Sequence, residues 1–172
     1  LKAMNRPGSR KELTDKIALI RKTVPGVILR TTVIVGFPGE TRNDFNELLE
    51  FVNEMKFERL GVFEYSREEG TKAYQLPSQV SAKEKSKRKD IVAEKQSEIA
   101  FAFAKGQIGK TIEVLIEGFD KYAEMYFGRS RMEAPEVDPK IFFTGKNLKV
   151  GDFINIYIED SENYDLIGKA LL

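Results

Sequence analysis

Apolar residues fall along this chain in two different rhythms. Leu13, Ile17 and Ile20, and then Phe45, Leu48, Leu49 and Val52, recur at the three-to-four spacing that places side chains on one stripe of a helix. Each stripe follows a hydroxyl residue with an acid three positions later, Ser9 with Glu12 and Thr41 with Asp44, and Ser81 with Glu84 repeats the signal. Such pairs satisfy the orphan N–H groups of a helix start, so the pattern predicts three helices, the last running from about 82 to 105. Short apolar runs lie between them: residues 27–35, closing on Val33, Ile34, Val35 and Gly36, and then Leu60, Gly61, Val62 and Phe63. Runs of this kind alternating with amphipathic helices predict parallel strands buried on both faces.

Beyond Gly106 the rhythm becomes strand-like throughout. Pieces at 111–116, 122–131, 141–144, 153–158 and 164–171 are punctuated by Gly118, Pro135, Pro139, Gly145 and Gly151. Short strands between regular turn signals predict a small antiparallel barrel. The expected organisation is an α/β part at 1–105 and a β-barrel at 106–172.

Charge sharpens this division. Residues 1–105 hold 20 basic and 15 acidic side chains, net +5, whereas 106–172 hold 8 basic and 12 acidic, net −4. Phosphate backbones attract Lys and Arg, so the acidic barrel is a poor default RNA binder and suits a basic protein. Lys83, Lys85, Lys87, Arg88 and Lys89 start the third helix, and two readings stand: a solvated helix face or a nucleic-acid patch. The chain contains no Cys and no His, which removes thiolate metal sites, cysteine nucleophiles and the usual base near neutral pH. No apolar run approaches the roughly 18–20 residues of a membrane helix. Leu1 stands where an initiator Met would, without a signal-peptide pattern, so the chain is expected to begin inside a longer, cytoplasmic protein.

Candidate chemistry gathers in two loops. Gly36, Phe37, Pro38, Gly39, Glu40 and Thr41 join an apolar strand to a capped helix, a place where backbone can approach a ligand and N–H groups face outward. A tight structural turn is the other reading, since the Lys of a P-loop and the third Gly of a dinucleotide fingerprint are missing. Phe63 to Thr71 forms the second loop, and both are expected at the carboxyl ends of strands, where ligands collect in α/β sheets. Glu68 and Glu69 form an adjacent carboxylate pair there, expected as solvated acids. Arg30 opens the strand and is either a surface ion pair or a contact for a carboxylate or phosphate.

Several of these motifs in order resemble a known family. Arg30-Thr-Thr-Val-Ile-Val-Gly-Phe-Pro-Gly-Glu-Thr41, preceded by Leu1-Lys-Ala-Met-Asn-Arg6, is similar to the late half of the radical SAM domain of methylthiotransferases. Ser66-Arg-Glu-Glu-Gly-Thr71 resembles the branch that modifies a ribosomal protein, the RimO family, whose tRNA-modifying MiaB-like relatives usually carry a basic residue where Glu68 and Glu69 stand. Gly128-Arg-Ser-Arg-Met-Glu-Ala-Pro-Glu-Val-Asp138, Val150-Gly-Asp152 and Tyr164-Asp-Leu-Ile-Gly168 resemble the TRAM domain of that branch. The resemblance implies part of a radical SAM (β/α) barrel at 1–105, with the long connecting helix, followed by an OB-like TRAM barrel at 106–172.

For function, it implies methylthiolation of the β-carbon of an aspartate in the twelfth protein of the small ribosomal subunit. S-adenosylmethionine and two [4Fe-4S] clusters are the implied cofactors, and without Cys this chain binds neither cluster and is expected to be inert alone. Ile34, Gly36, Phe37, Pro38, Phe63 and Tyr65 match elements flanking the cofactor, with Arg30 a further candidate. Gly39 stands where the common pattern of this strand has Glu, so Glu40 is not carried over. In the barrel, Arg129, Arg131, Glu133, Glu136 and Asp138 are the candidate substrate contacts; the acidic loop is read as a dock for a basic ribosomal protein. The alternatives are a MiaB-like fragment whose barrel binds tRNA, or a non-catalytic binding module.

Overall fold

The computed structural model describes residues 3–171. It divides into two compact units, one reaching Ile99 and one starting at Ala100.

In the first unit, helix α1 (Arg10–Thr23) starts at a complete Ser9–Glu12 capping box. Strand β1 (Arg30–Val35) leads through the Gly36 loop into helix α2 (Arg42–Met55), capped in the same way by Thr41 and Asp44. Strand β2 (Arg59–Glu64) follows, then a 3-10 turn at Lys72–Gln75 and helix α3 (Ala82–Lys105). The capping signals therefore mark all three α-helix starts, Ser81 Oγ accepting the Glu84 N–H at 3.2 Å at the last.

β1 and β2 pair in parallel, Arg30 opposite Arg59 and Ile34 opposite Phe63. Alternation then sorts the side chains. Val33, Val35, Leu60 and Val62 face the apolar stripe of α2 (Phe45, Leu48, Leu49) and Ile91 and Val92 of α3. Each such side chain fully removed from water contributes about 1.5–3 kcal/mol. The opposite face departs from the expected two-sided burial: Ile34 is 41% exposed and Phe63 61%. Helices α2 and α3 cover one side of this sheet, and the other leaves Ile34 and Phe63 open to solvent.

The second unit is a closed five-stranded barrel in the order β3-β4-β5-β7-β6. Its strands are β3 (Thr111–Asp120), β4 (Met125–Arg129), β5 (Ile141–Thr144), β6 (Phe153–Glu162) and β7 (Asp165–Ala170). Four seams are antiparallel, as the turn pattern predicts, while β5 and β7 pair in parallel and close the barrel across β6. β3 and β6 outrun their predicted lengths because each carries a register shift, at Ile116/Gly118 and Ile158/Asp160. Such bulges bend long strands so that one ribbon can serve two neighbours. Val114, Ile116, Ile141, Phe143, Ile156 and Ile158 fill the interior, and Ala104 from the last turn of α3 joins them.

Candidate functional site

Six of the seven predicted cofactor-side residues meet at the carboxyl end of the β1–β2 sheet. Beyond Val35 the ladder continues for one bond, Tyr65 N–H donating to the Val35 carbonyl at 2.9 Å. Gly36 then turns the chain with φ +74°, and a Cβ there would collide with the Lys85 side chain. Both the left-handed backbone and the close approach require glycine. The Glu40 N–H donates to the Phe37 carbonyl at 2.9 Å and the Gly39 N–H to the Ser78 carbonyl at 2.9 Å, which closes the turn and ties it to the segment before α3.

The Phe37 and Tyr65 rings meet edge to face, centroids 5.2 Å apart, and Pro38 is buried beside them. Ile34 and Phe63 are register partners on the exposed sheet face, two residues before the loop on each strand. The Tyr65 hydroxyl is buried and has no hydrogen-bond partner among the described residues. An apolar shelf with an unspent hydroxyl at strand ends suits a flat heterocycle with polar edges, so these residues fit the adenosyl part of S-adenosylmethionine. They do not fit an iron–sulfur cluster, because this chain has no thiolate and, among the described residues, no group of three His, Cys, Asp or Glu is placed to hold a metal.

Arg30 is the seventh. It lies at the opposite end of β1, five residues from Val35, or about 16 Å at ~3.3 Å per residue, opposite Arg59.

The basic start of α3 resolves into two populations. Lys83 and Lys87 are exposed. Lys85 Nζ donates to the Tyr65 carbonyl at 2.8 Å and sits 5.0 Å from the centre of that ring. Lys89 pairs with Glu64 at 2.9 Å, and this hydrogen bond raises the ammonium above its ordinary value. Arg88 is buried, its Nη1 donating to Glu40 Oε1 at 2.5 Å and its Nε to Glu84 Oε1 at 3.0 Å. Burial works against the charge on Arg88, but the hydrogen bonds to Glu40 and Glu84 outweigh it and the guanidinium is raised above its ordinary value. These three cations brace the strand ends, a role hidden in a sequence where five basic residues crowd seven positions. The helical period was the available signal: 85, 88 and 89 share a face and 83 and 87 do not.

Carboxylates near the shelf are already engaged. Glu40 also accepts the Gly36 N–H at 2.9 Å, and Glu68 accepts the Ser66 hydroxyl at 2.5 Å. Arg67 holds the Tyr74 carbonyl at 2.9 Å, and its guanidinium lies over the Tyr74 ring.

In the barrel, the predicted substrate contacts separate by burial. Glu133 is only 8% exposed, its Oε2 accepting both the Ser130 N–H at 2.9 Å and the Ser130 hydroxyl at 2.7 Å. Asp138 accepts the Ala134 N–H at 2.7 Å, so both acids fold the loop upon itself. Glu136, with φ +63°, is exposed at its crest beside Val137. Arg129 pairs with Glu117 at 2.6 Å, and Arg131 is exposed.

Comparison with known proteins bears on both units. Residues 108–171 match the model of the TRAM domain family. Along its whole length the chain is 48% identical to a protein of Pelotomaculum thermopropionicum named ribosomal protein uS12 methylthiotransferase RimO, of which it covers 39%. Proteins of the same name from Clostridium acetobutylicum and Caldanaerobacter subterraneus are 46% and 45% identical over 98% of the chain, which covers 38% of each. The chain thus spans about two fifths of the length of the curated relatives it matches. No helix among the described residues is long and apolar enough to cross a membrane.

Proposed function

We propose that the chain, which is similar along its whole length to proteins named RimO and matches the TRAM domain family, works within a longer radical SAM methylthiotransferase acting on the β-carbon of an aspartate in ribosomal protein uS12. The observation that carries this reading is the likeness to proteins of that name over both units at once. When bound and reduced, S-adenosylmethionine and the clusters supply the radical and the sulfur. This chain supplies one wall of the cofactor pocket: Ile34 and Phe63 against the flat base, the Gly36–Pro38 backbone along it, and the Tyr65 hydroxyl for a polar edge. Arg30, at the far end of the strand, stands apart from this wall.

The cluster ligands belong to the rest of the longer protein, since no Cys is found here. By itself the chain therefore transfers no methylthio group. Docking of uS12, a basic protein of the cytoplasm, falls to the acidic barrel. Glu136, exposed at the crest of the 133–138 loop, is the group placed to meet a partner's surface, with the exposed Arg131 near it in sequence, while Glu133 and Asp138 hold the loop in shape.

The test uses the full-length protein with both clusters reconstituted, S-adenosylmethionine, a reductant and either uS12 or tRNA. Mass spectrometry is expected to find one added methylthio group on an aspartate of uS12 and none on tRNA. Modification of tRNA instead would overturn the assignment in favour of the RNA-modifying alternative.

A further inference from the structure

The geometry points to Arg88 as a positioning residue for the cofactor loop, acting through Glu40 on the Gly36 amide. The inference rests on the reading of the Gly36–Pro38 loop as a cofactor wall. Gly36 leaves the ladder, so its N–H must find a partner outside the sheet. Glu40 Oε1 provides it at 2.9 Å. The same oxygen accepts Arg88 Nη1 at 2.5 Å, and that nitrogen also reaches the Glu40 carbonyl at 3.1 Å. Arg88 thus grips side chain and backbone of one residue, and Glu84 aligns its Nε from one turn earlier on α3.

The arrangement differs from an ordinary surface bridge in two ways. Both side chains are nearly out of water, 8% and 12% exposed, so screening is weak and the geometry is tightly held. The pair also faces away from the shelf formed by Ile34 and Phe63. It holds the Gly36 amide and the Glu40 carbonyl, which link it to the Phe37–Glu40 turn. A helix that lies behind the sheet therefore sets the pose of Phe37 and Pro38 in front of it.

The experiment compares cluster-loaded full-length protein carrying Arg88→Met with Glu40→Met, Glu40→Gln alone, and Phe37→Ala as a control for the loop itself. Replacing both charges avoids an unpaired buried ion, and Glu40→Gln keeps an acceptor for Gly36. In the double variant the Gly36 amide is expected to exchange at least ~10-fold faster, and equilibrium affinity for S-adenosylmethionine to fall about tenfold, with KM rising more than kcat falls, because misplacement of a positioned group is costly. Glu40→Gln, which keeps an acceptor for Gly36 but weakens the grip of Arg88, is expected to lose less affinity than the double variant, and an equal loss would overturn the role of the Gly36 acceptor. Where the double variant does not fold, Arg88→Lys, which keeps the charge and loses the planar fork, carries the same comparison.

If Phe37→Ala weakens binding while the paired variant exchanges faster at Gly36 without losing affinity, the positioning role is overturned and the pair is structural only. If Phe37→Ala leaves affinity unchanged, the cofactor-wall reading itself fails and takes this inference with it.

Discussion

The barrel and the two-stranded sheet solve the same problem with different completeness. In the barrel every strand has two neighbours, and six large aliphatic or aromatic side chains are essentially unexposed. In the first unit, among the described residues, two strands pair only with each other, and apolar side chains of the same kinds remain exposed on one face. Closure removes edges and fills an interior with its own side chains. An open sheet face keeps a surface available, and its loops then need another source of rigidity. Here that source is polar: Lys85, Arg88 and Lys89 reach from α3 to the strand ends. One unit closes by packing, and the other ties its strand ends by charge.

Perturbations that strike each kind of support separately sharpen this contrast. The largest effect is expected from Arg88→Met alone, which strands Glu40 as a buried charge and should cost the first unit about 3–5 kcal/mol. Calorimetry of the chain should show the loss in that unit's transition and leave the barrel's in place. Loss in both would break the comparison.

Gly128→Ala attacks the barrel's packing. The new Cβ would meet the Leu115 carbonyl on the neighbouring strand, a backbone atom that cannot step aside. A destabilisation of about 3 kcal/mol is expected in urea unfolding, against about 1 kcal/mol for Gly39→Ala, which meets only open space but must hold φ +85°.

Trimming the barrel to residues 106–172 removes Ala104 from its core and the Phe101 ring stacked 4.2 Å from Tyr164. Tyr164 needs that support because it sits at φ +77°, costly for a side chain of its size. The shorter barrel should unfold about 2 kcal/mol more easily than residues 100–172. Equal denaturation midpoints would show that the turn of α3 is dispensable.

The smallest effect concerns the start of α2. Thr41→Ala removes its cap and should cost about 1 kcal/mol at neutral pH. The Asp44 carboxyl is held below its ordinary 3.8 by the Thr41 hydroxyl and then the Thr41 N–H. Its contribution is therefore complete above 3.8 and fades as pH falls through the lowered folded value. The gap between Thr41→Ala and the native chain should narrow in acid, and a gap that widens there would contradict this account.

The elements legible in the sequence were those specified locally. Ser9–Glu12, Thr41–Asp44 and Ser81–Glu84 need only four consecutive residues to mark a helix start, and all three do. The glycine turn at 36 was equally readable. Long-range features were not. Nothing in residues 30–35 separates a strand covered on one side from one covered on both, because that depends on which elements pack against it. The parallel β5–β7 seam joins segments more than 20 residues apart, a choice made by barrel closure rather than by either strand. Glu133 and Asp138 read in the sequence as acids offered to a basic partner, until the loop folds and they accept its own N–H groups.

The amino-acid sequence by itself determined the alternation of strands and helices, the caps, the glycine turn and the absence of any thiolate, since each follows from a residue type or a short-range period. Only the tertiary structure decided which charges are free. Desolvation and hydrogen-bond partners are set by residues up to 48 positions away, as for Arg88 and Glu40, and a buried cation is written with the same letter as a solvated one.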